Sequence, residues 1–169
     1  MMQHRVVVMG VAGCGKSSLG GALAQAEGLR LIEGDEFHSD ANRAKMARGI
    51  PLTDADRAGW LDTLAGELRA GTGGAVLTCS ALKRAYRDRL RAAAPGLRFV
   101  FMDIDPASAR ARIEARQGAH FFSPMLVESQ FAALEPPDAE PGVLRVDALA
   151  PLRQLLAEVS AWLRGGGRP

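Results

Sequence analysis

The stretch Gly10-Val-Ala-Gly-Cys-Gly-Lys-Ser17 follows a short apolar run, Arg5 to Met9, and opens a segment with helical spacing from Lys16 to Glu27. A glycine-rich loop between a strand and a helix is typical of a P-loop, in which backbone N–H groups and the helix dipole hold a polyphosphate. Its glycines let the backbone turn so that the N–H groups face inward. The predicted nucleotide-binding residues are Gly10, Val11, Ala12, Gly13, Cys14, Gly15, Lys16, Ser17 and Ser18.

Two side chains of this loop carry chemistry. We expect Lys16 to reach the β- and γ-phosphates and to act in catalysis, and we expect the Ser17 hydroxyl to ligate a metal ion. ATP and Mg²⁺ are therefore the expected cofactors. The alternative is a glycine-rich turn with an exposed lysine, and Cys14 is expected to be no more than a small residue in the loop.

Outward from the P-loop, strand-like and helix-like segments alternate along the chain. This alternation predicts an α/β fold with a five-stranded parallel sheet and helices on both faces. The predicted strands are Arg5 to Met9, Arg30 to Glu33, Ala75 to Cys79, Arg98 to Asp103 and Val143 to Val146. The predicted helices are residues 16–27, 40–48, 83–94, 106–116, 124–134 and 151–163, with a further helix after a capping box at Thr53 to Asp56.

Length and composition predict one domain, residues 1–164, and a flexible tail, residues 165–169. The 169 residues carry a formal net charge of +2, which is too mild to suggest a nucleic-acid partner. No apolar run approaches the roughly 20 residues that a membrane span needs, and the start lacks a signal peptide, so we expect no membrane partner and a cytoplasmic location. The two cysteines, Cys14 and Cys79, have no metal-binding spacing.

A P-loop is shared by kinases, switches and motors. The chain lacks the Asn-Lys-x-Asp segment of a guanine-specific switch, because its single asparagine, Asn42, lies in another context. A motor or assembly ATPase usually needs a longer chain. These observations favour a small-molecule kinase.

Further segments recur in order between residues 6 and 147 and carry a closer resemblance. They are Glu33-Gly-Asp-Glu-Phe-His38, Asn42, Lys45-Met46, Gly49, Pro51-Leu52-Thr53-Asp54, Asp56-Arg57, Trp60-Leu61, Cys79-Ser-Ala-Leu-Lys83, Tyr86-Arg87, His120-Phe-Phe122, Ser129-Gln130-Phe131 and Leu134-Glu135-Pro136. With the P-loop, this ordered set resembles the gluconate kinase family. The resemblance implies a three-layer P-loop kinase fold, related to shikimate kinase and nucleoside-monophosphate kinases, with a mobile lid at about residues 112–126. It also implies a homodimer that transfers the ATP γ-phosphoryl group to the terminal hydroxyl of D-gluconate, giving 6-phosphogluconate.

An acceptor hydroxyl needs a base or an orienting group. Asp35, just past the second strand, is the predicted catalytic carboxylate, which also binds substrate and holds a Mg²⁺-bound water. The alternatives are that Asp35 caps a helix, or that Asp103, at the end of the fourth strand, is the metal ligand instead.

A sugar acid needs a cation for its carboxylate and polar groups for its hydroxyls. The predicted carboxylate ligands are Arg57, Lys83 and Arg87. The candidates for the hydroxyls are His38, Asn42, Lys45, His120 and Gln130. For each of these residues the alternative is that it is a solvated surface residue. This alternative is strongest for Lys45 and Arg87, because they lie in charged helices.

Arg112 and Arg116 are one helical turn apart and so share a helix face. They precede the segment where this fold carries its lid, so both are predicted to be catalytic by reaching the transferring phosphate. The alternative is a basic helix face. A kinase of the same fold acting on shikimate, another sugar acid or a nucleotide also remains open, as does a nucleotide-binding regulatory switch.

Overall fold

The computed structural model describes residues 4–71, 73–116 and 126–165. Its strands are β1 (Arg5–Met9), β2 (Arg30–Glu33), β3 (Ala75–Thr78), β4 (Arg98–Asp103) and β5 (Val143–Asp147). Its helices are α1 (Lys16–Glu27), α2 (Asp40–Ala47), α3 (Asp54–Arg69), α4 (Arg84–Ala93), α5 (Pro106–Ala115), α6 (Leu126–Ala133) and α7 (Leu152–Arg164). A 3₁₀ turn, Gly34–Phe37, follows β2.

The five predicted strands and seven predicted helices are confirmed, with ends that shift by one or two residues. The capping box at the start of α3 is also confirmed, because the Thr53 hydroxyl accepts from the Asp56 N–H and the Asp56 carboxylate accepts from the Thr53 N–H. The 3₁₀ turn after β2 was not predicted. It matters for the site, because it carries Asp35.

All five strands are parallel and lie in the order β2-β3-β1-β4-β5. β1 is central, with Val7 opposite Leu77 of β3 on one side and Phe99 of β4 on the other. Its residues from Val6 to Met9 are fully buried, as expected of a β-branched run covered on both faces. In a parallel sheet every strand ends at the same edge, so the P-loop after β1 and the turn after β2 are brought together.

Helices cover both faces of the sheet. On one face, α1 and α7 pack through Leu19, Leu23 and Val159. On the other, α3 and α4 pack through Leu64 and Leu90. The predicted α/β, three-layer arrangement is therefore confirmed. No helix within residues 4–71, 73–116 and 126–165 is long and apolar enough to cross a bilayer.

The Arg87 side chain lies in the interior, which corrects both its predicted role in carboxylate binding and the solvated alternative. The side chain is 0% exposed, and its Nε and Nη2 bond both carboxylate oxygens of Glu140 at 2.9 and 2.5 Å. Its Nη1 donates to the Ala81 and Leu82 carbonyls, and its Nη2 also donates to Glu135 O. A buried charge must be paired and hydrogen-bonded, and this network meets that need without a ligand.

Candidate active site

The P-loop spans residues 10–15 between β1 and α1, and its shape depends on glycine. Gly13 and Gly15 have φ of 85° and 98°, in the left-handed region that side chains disfavour. A Cβ on Gly13 would also lie 2.7 Å from the Ala109 carbonyl of α5, so the loop packs directly on that helix. α1 then begins at Lys16, with its N-terminus at the loop.

The two reactive side chains of the loop are held by nearby oxygen atoms. Lys16 Nζ donates to the Gly10 and Val11 carbonyls at 3.0 and 3.1 Å. Ser17 Oγ donates to Glu33 Oε2 at 3.0 Å, and Thr78 Oγ1 donates to the same oxygen at 2.7 Å. These contacts bring the last residue of β2 beside the phosphate loop.

Glu33 is the site residue that sequence reasoning missed. Its carboxylate contacts Ser17, the predicted magnesium ligand, whereas only Asp35 was predicted as the acid of this region. The available signal was its position as the last residue of a parallel strand, at the edge where such sheets bind ligands.

A cavity of about 290 Å³ opens beside the P-loop. The predicted site residues that line it are Ala12, Gly13, Gly15, Lys16, Ser17, Ser18, Asp35, His38, Arg57, Arg116 and Gln130. It is also lined by Met46, Pro51, Leu52, Trp60, Ser80, Ile113, Leu126 and Ser129. Six of the predicted nucleotide-binding residues and four of the predicted substrate-binding residues, Asp35, His38, Arg57 and Gln130, thus line one cavity.

Asp35 lies in the 3₁₀ turn after β2 and lines the cavity. The turn is fixed from behind, since Trp60 Nε1 donates to the Gly34 carbonyl at 2.8 Å. Asp35 does not cap a helix: the cap of α2 is Ser39, whose hydroxyl accepts from the Asn42 N–H at 3.1 Å. The capping alternative for Asp35 is therefore wrong.

His38 is buried against Trp60, with ring centroids 4.2 Å apart and nearly parallel planes. Burial lowers the pKa of His38 to about 4, outweighing the opposite effect of the Asp35 charge. The ring is consequently neutral at physiological pH, and because the Asn42 amide nitrogen can only donate, Nδ1 accepts and Nε2 carries the proton. Asn42 Nδ2 lies 3.3 Å from His38 Nδ1 and donates to Asp56 O, so Asn42 supports His38 and does not line the cavity.

Arg57, on the first turn of α3, reaches the opposite wall of the cavity. Its Nη1 donates to Leu52 O at 2.8 Å and to the Tyr86 hydroxyl at 3.4 Å. The Tyr86 hydroxyl in turn donates to Asp54, which lowers the pKa of that carboxyl together with Lys83. The guanidinium is thus oriented by its neighbours.

Two lysines predicted to contact substrate lie outside the cavity lining, and each pairs with a carboxylate. Lys83 Nζ pairs with Asp54 at 3.1 Å, and Lys45 Nζ pairs with Asp56 at 2.7 Å. Asp103 is also engaged elsewhere, in an ion pair with Arg145 at 2.8 Å. Opposite charges nearby satisfy each of these groups without a ligand.

A second cavity of about 220 Å³ also borders the P-loop. It is lined by Cys14, Gly15, Ser18, Met102, Arg112, Arg116, Ala148, Ala150, Leu152 and Leu155. Gly15, Ser18 and Arg116 line both cavities, whereas Arg112 lines only the second. The P-loop therefore borders both cavities.

The helix α6 contacts the P-loop through Gln130, whose Oε1 accepts from the Ala12 N–H at 2.7 Å. Gln130 and Ser129 bring α6 into the cavity wall. His120 and residues 117–125 of the predicted lid lie outside the described residues.

Both cysteines are buried near the site. Burial raises the pKa of the Cys79 thiol to about 12. Cys14 lies within the P-loop, 0% exposed. The expectation that Cys14 is a small packing residue agrees with this placement.

The candidate metal ligands of the site are oxygen atoms. No group of three or more His, Cys, Asp or Glu side chains with metal-binding geometry occurs in the part of the chain that the structure describes. Mg²⁺ commonly binds through one or two protein oxygens together with phosphates and water. The Ser17 hydroxyl and the adjacent Glu33 carboxylate fit that donor chemistry.

Sequence comparison places the chain among phosphate-transferring enzymes. A family model described as an AAA domain matches residues 6–137. The gluconokinase of Gluconobacter oxydans (strain 621H) is 46% identical over 145 residues, which cover 83% of this chain and 80% of that protein. The thermoresistant gluconokinase of Escherichia coli (strain K12) is 37% identical over 167 residues, covering 96% and 95%.

Structural comparison agrees. The crystal structure of a gluconokinase from Sinorhizobium meliloti 1021 is similar to this chain with a TM-score of 0.89 and 43% identity. The match covers 98% of this chain and 94% of that one.

Proposed function

This chain belongs to the gluconokinase family, and from that premise we propose that it transfers the γ-phosphoryl group of ATP to the terminal hydroxyl of D-gluconate, giving 6-phospho-D-gluconate. The single observation that carries the proposal is the cavity beside the P-loop. It is lined by the donor residues Lys16 and Ser17 together with an acid, Asp35, and a cation, Arg57. A sugar acid needs the acid to accept the proton of its reacting hydroxyl and the cation to bind its carboxylate.

The donor nucleotide spans both cavities in this proposal. Its triphosphate lies on the P-loop N–H groups and the α1 N-terminus, which are suited to anions. Its adenosine lies in the second cavity, where Met102, Ala150 and Leu155 offer apolar surface. Gly15 and Ser18 line both cavities, which supports a ligand that passes between them.

The acceptor occupies the first cavity. Arg57 binds the carboxylate of gluconate, and the neutral His38 and Gln130 bind its hydroxyls. Asp35 accepts the proton of the terminal hydroxyl as that oxygen bonds to the γ-phosphorus, while the bond from phosphorus to the bridging oxygen of ADP breaks. Lys16 neutralises charge on the transferring group.

Mg²⁺ is expected to be held by the Ser17 hydroxyl, with Glu33 and Asp35 acting through bound water. When bound, the ion neutralises phosphate charge and orients the β- and γ-phosphates. The bond between Ser17 and Glu33 supports this donor set, because it keeps the hydroxyl oxygen beside a carboxylate.

The lid residues complete the proposal. Arg116 is exposed and lines both cavities, so it is positioned to approach the transferring group from the nucleotide side. We keep His120 as a candidate for a substrate hydroxyl. Closure of residues 112–126 over the site would exclude water from the reaction.

The substrate assignment is tested with a coupled assay that follows ADP release on gluconate, other sugar acids, shikimate and nucleoside monophosphates. We expect kcat/KM for gluconate to exceed that for every other acceptor by at least about 100-fold, as a site built to bind polar groups discriminates strongly. A better shikimate or nucleotide substrate would replace the proposal with another kinase activity. Binding of ATP without turnover on any acceptor would favour a regulatory switch.

The catalytic carboxylate is tested by Asp35→Asn, which keeps the shape and removes the base. We expect kcat to fall by about 10²–10⁴-fold, the usual contribution of a general base. The matched control is Glu36→Gln, because Glu36 is the next acid along the chain and is outside the cavity lining. Equal losses in both variants, or full activity of Asp35→Asn, would remove Asp35 from its role.

A cytoplasmic location and a homodimer are also proposed, on the family resemblance. The oligomeric state is tested by light scattering coupled to size-exclusion chromatography. A molar mass twice that of a single chain is the expected result, and the mass of one chain would exclude the dimer.

A further inference from the structure

Arg112 is bonded to backbone carbonyls on the outer side of the P-loop. Its Nη1 donates to Gly13 O at 3.3 Å and to Cys14 O at 3.1 Å, and its Nη2 donates to Ala148 O at 2.9 Å. The side chain thereby joins α5, the P-loop and the segment after β5. This differs from the predicted role, in which Arg112 contacts the transferring phosphate.

The direction of these carbonyls sets the direction of the N–H groups that follow them. In a trans peptide unit the C=O and the next N–H point to opposite sides, and the described residues contain no cis peptide bond. Cys14 O points to Arg112, so the Gly15 N–H points away from Arg112 and towards the side where phosphate binds. The Cys14 N–H is turned to the same side but donates within the loop, to Val11 O at 3.3 Å.

Two further features agree with a bracing role. Gly13 lies so close to α5 that a Cβ would be 2.7 Å from Ala109 O and 3.2 Å from the Ile113 side chain. The cation also polarises the peptide units it touches, which strengthens their N–H groups as donors.

We propose that Arg112 is a positioning residue of the phosphate site, holding the outer carbonyls of the P-loop so that the Gly15 N–H faces the triphosphate. Arg112 acts through the loop and needs no contact with the transferring group. This inference rests on the proposed binding of the ATP triphosphate by the P-loop.

The test is the affinity for inorganic tripolyphosphate, measured by calorimetry on the full chain. This probe has no base, so it reports the phosphate site alone. Arg112→Met removes the hydrogen bonds and the charge, whereas Arg112→Lys keeps the charge but loses the planar fork whose two nitrogens reach the P-loop on one side and Ala148 on the other. We expect both variants to weaken tripolyphosphate binding by about 10- to 100-fold, the range for losing one or two charged hydrogen bonds. The KM for ATP should rise by a similar factor, with the KM for gluconate unchanged.

The control is Arg110→Gln on the same helix, since Arg110 pairs with Glu128 and lines neither cavity. It should bind tripolyphosphate like the wild type. Wild-type affinity in Arg112→Lys would show that only charge matters and would overturn the proposal. Weaker ATP binding with unchanged tripolyphosphate binding would also overturn it, because Arg112 would then act on the base.

The experiment distinguishes loss of folding from loss of phosphate binding. Circular dichroism gives the folded fraction of each variant, and if Arg112→Met does not fold, Arg112→Lys decides alone. The wild-type measurement separates this inference from the proposed function, because wild-type protein that binds no tripolyphosphate would contradict nucleotide binding itself. Turnover of a different acceptor would leave the Arg112 result untouched.

Discussion

The donor and acceptor walls of the cavity are built in different ways. The donor wall is one continuous loop, residues 10–15, followed directly by the N-terminus of α1. The acceptor wall is assembled from separate segments, in which Asp35 follows β2, Arg57 lies on α3 and Gln130 lies on α6. The donor wall therefore depends on local backbone geometry, whereas the acceptor wall depends on how distant segments pack.

This difference explains why two similar side chains predicted for the acceptor wall have different roles. Arg57 and Arg87 were both predicted to bind a carboxylate. Arg57 lines the cavity, but Arg87 pairs with the buried carboxylate of Glu140. Charge type alone does not distinguish a ligand-binding arginine from one that joins segments of the fold.

Removal of the donor cation, Lys16, tests the local wall and has the largest expected effect among the four changes compared below. Lys16→Ala should lower kcat by about 10³-fold, since it removes a preorganised charge from the transferring phosphoryl group. Lys45→Ala is the matched control, because Lys45 pairs with Asp56 outside the cavity lining. Steady-state kinetics at saturating gluconate provide the measurement, and a loss below tenfold would contradict the role of Lys16.

Arg87→Met tests whether the second arginine supports the fold. It should lower the free energy of unfolding by about 3–5 kcal/mol, because the buried Glu140 carboxylate would keep only Arg91 as a partner and the carbonyls that Arg87 bonds would lose their donor. Urea denaturation measures this change. Arg89→Met, which removes a 45%-exposed partner of Asp62, should cost less than about 1 kcal/mol. An unchanged unfolding free energy with a raised KM for gluconate would return Arg87 to substrate binding.

Arg57→Lys tests the arginine that lines the cavity. Lysine keeps the charge but loses the planar fork that grips a carboxylate, so the KM for gluconate should rise by about 10- to 100-fold. The KM for ATP should stay the same. Lys83→Met is the control, since Lys83 lies outside the lining. A rise in the KM for ATP instead would place Arg57 on the donor side.

The titration of His38 has the smallest expected effect, a change in the free energy of unfolding with pH. Its pKa is lowered to about 4, mainly by burial, so the folded state holds fewer protons than the unfolded state between pH 4 and 6.5. The free energy of unfolding should therefore fall as the pH is lowered through this window, by about 1 kcal/mol between pH 7 and 5.5. Urea denaturation at these pH values measures the change, and His38→Gln should remove it. The same loss in both proteins would assign the pH dependence to other groups.

Much of the fold and the whole donor loop could be predicted, because periodicity and the P-loop are local in the sequence. The strand ends also indicated Asp35. The environments of Arg87 and Lys83 could not be predicted, since each depends on a partner far along the chain: Glu140 is 53 residues from Arg87, and Asp54 is 29 residues from Lys83. The sequence alone does not indicate which distant carboxylate reaches which cation.

Glu33 is an intermediate case. Its position at a strand end was visible, but its contact with Ser17 requires β2 to lie next to β3, where Thr78 supplies the second hydroxyl. The strand order brings these groups together, and no single segment of the sequence specifies the strand order. The contact could be found only when the sheet was assembled.

The burial of both thiols has a consequence for oxidative chemistry. Oxidants and alkylating agents attack the exposed thiolate, and neither Cys14 nor Cys79 offers one in the folded chain. Cys79 is protected twice, because its pKa of about 12 also keeps the sulfur protonated. Oxidation or alkylation of these sulfurs thus requires prior opening of the P-loop or of the sheet edge. The resistance of the enzyme to oxidation is therefore set by its conformational stability.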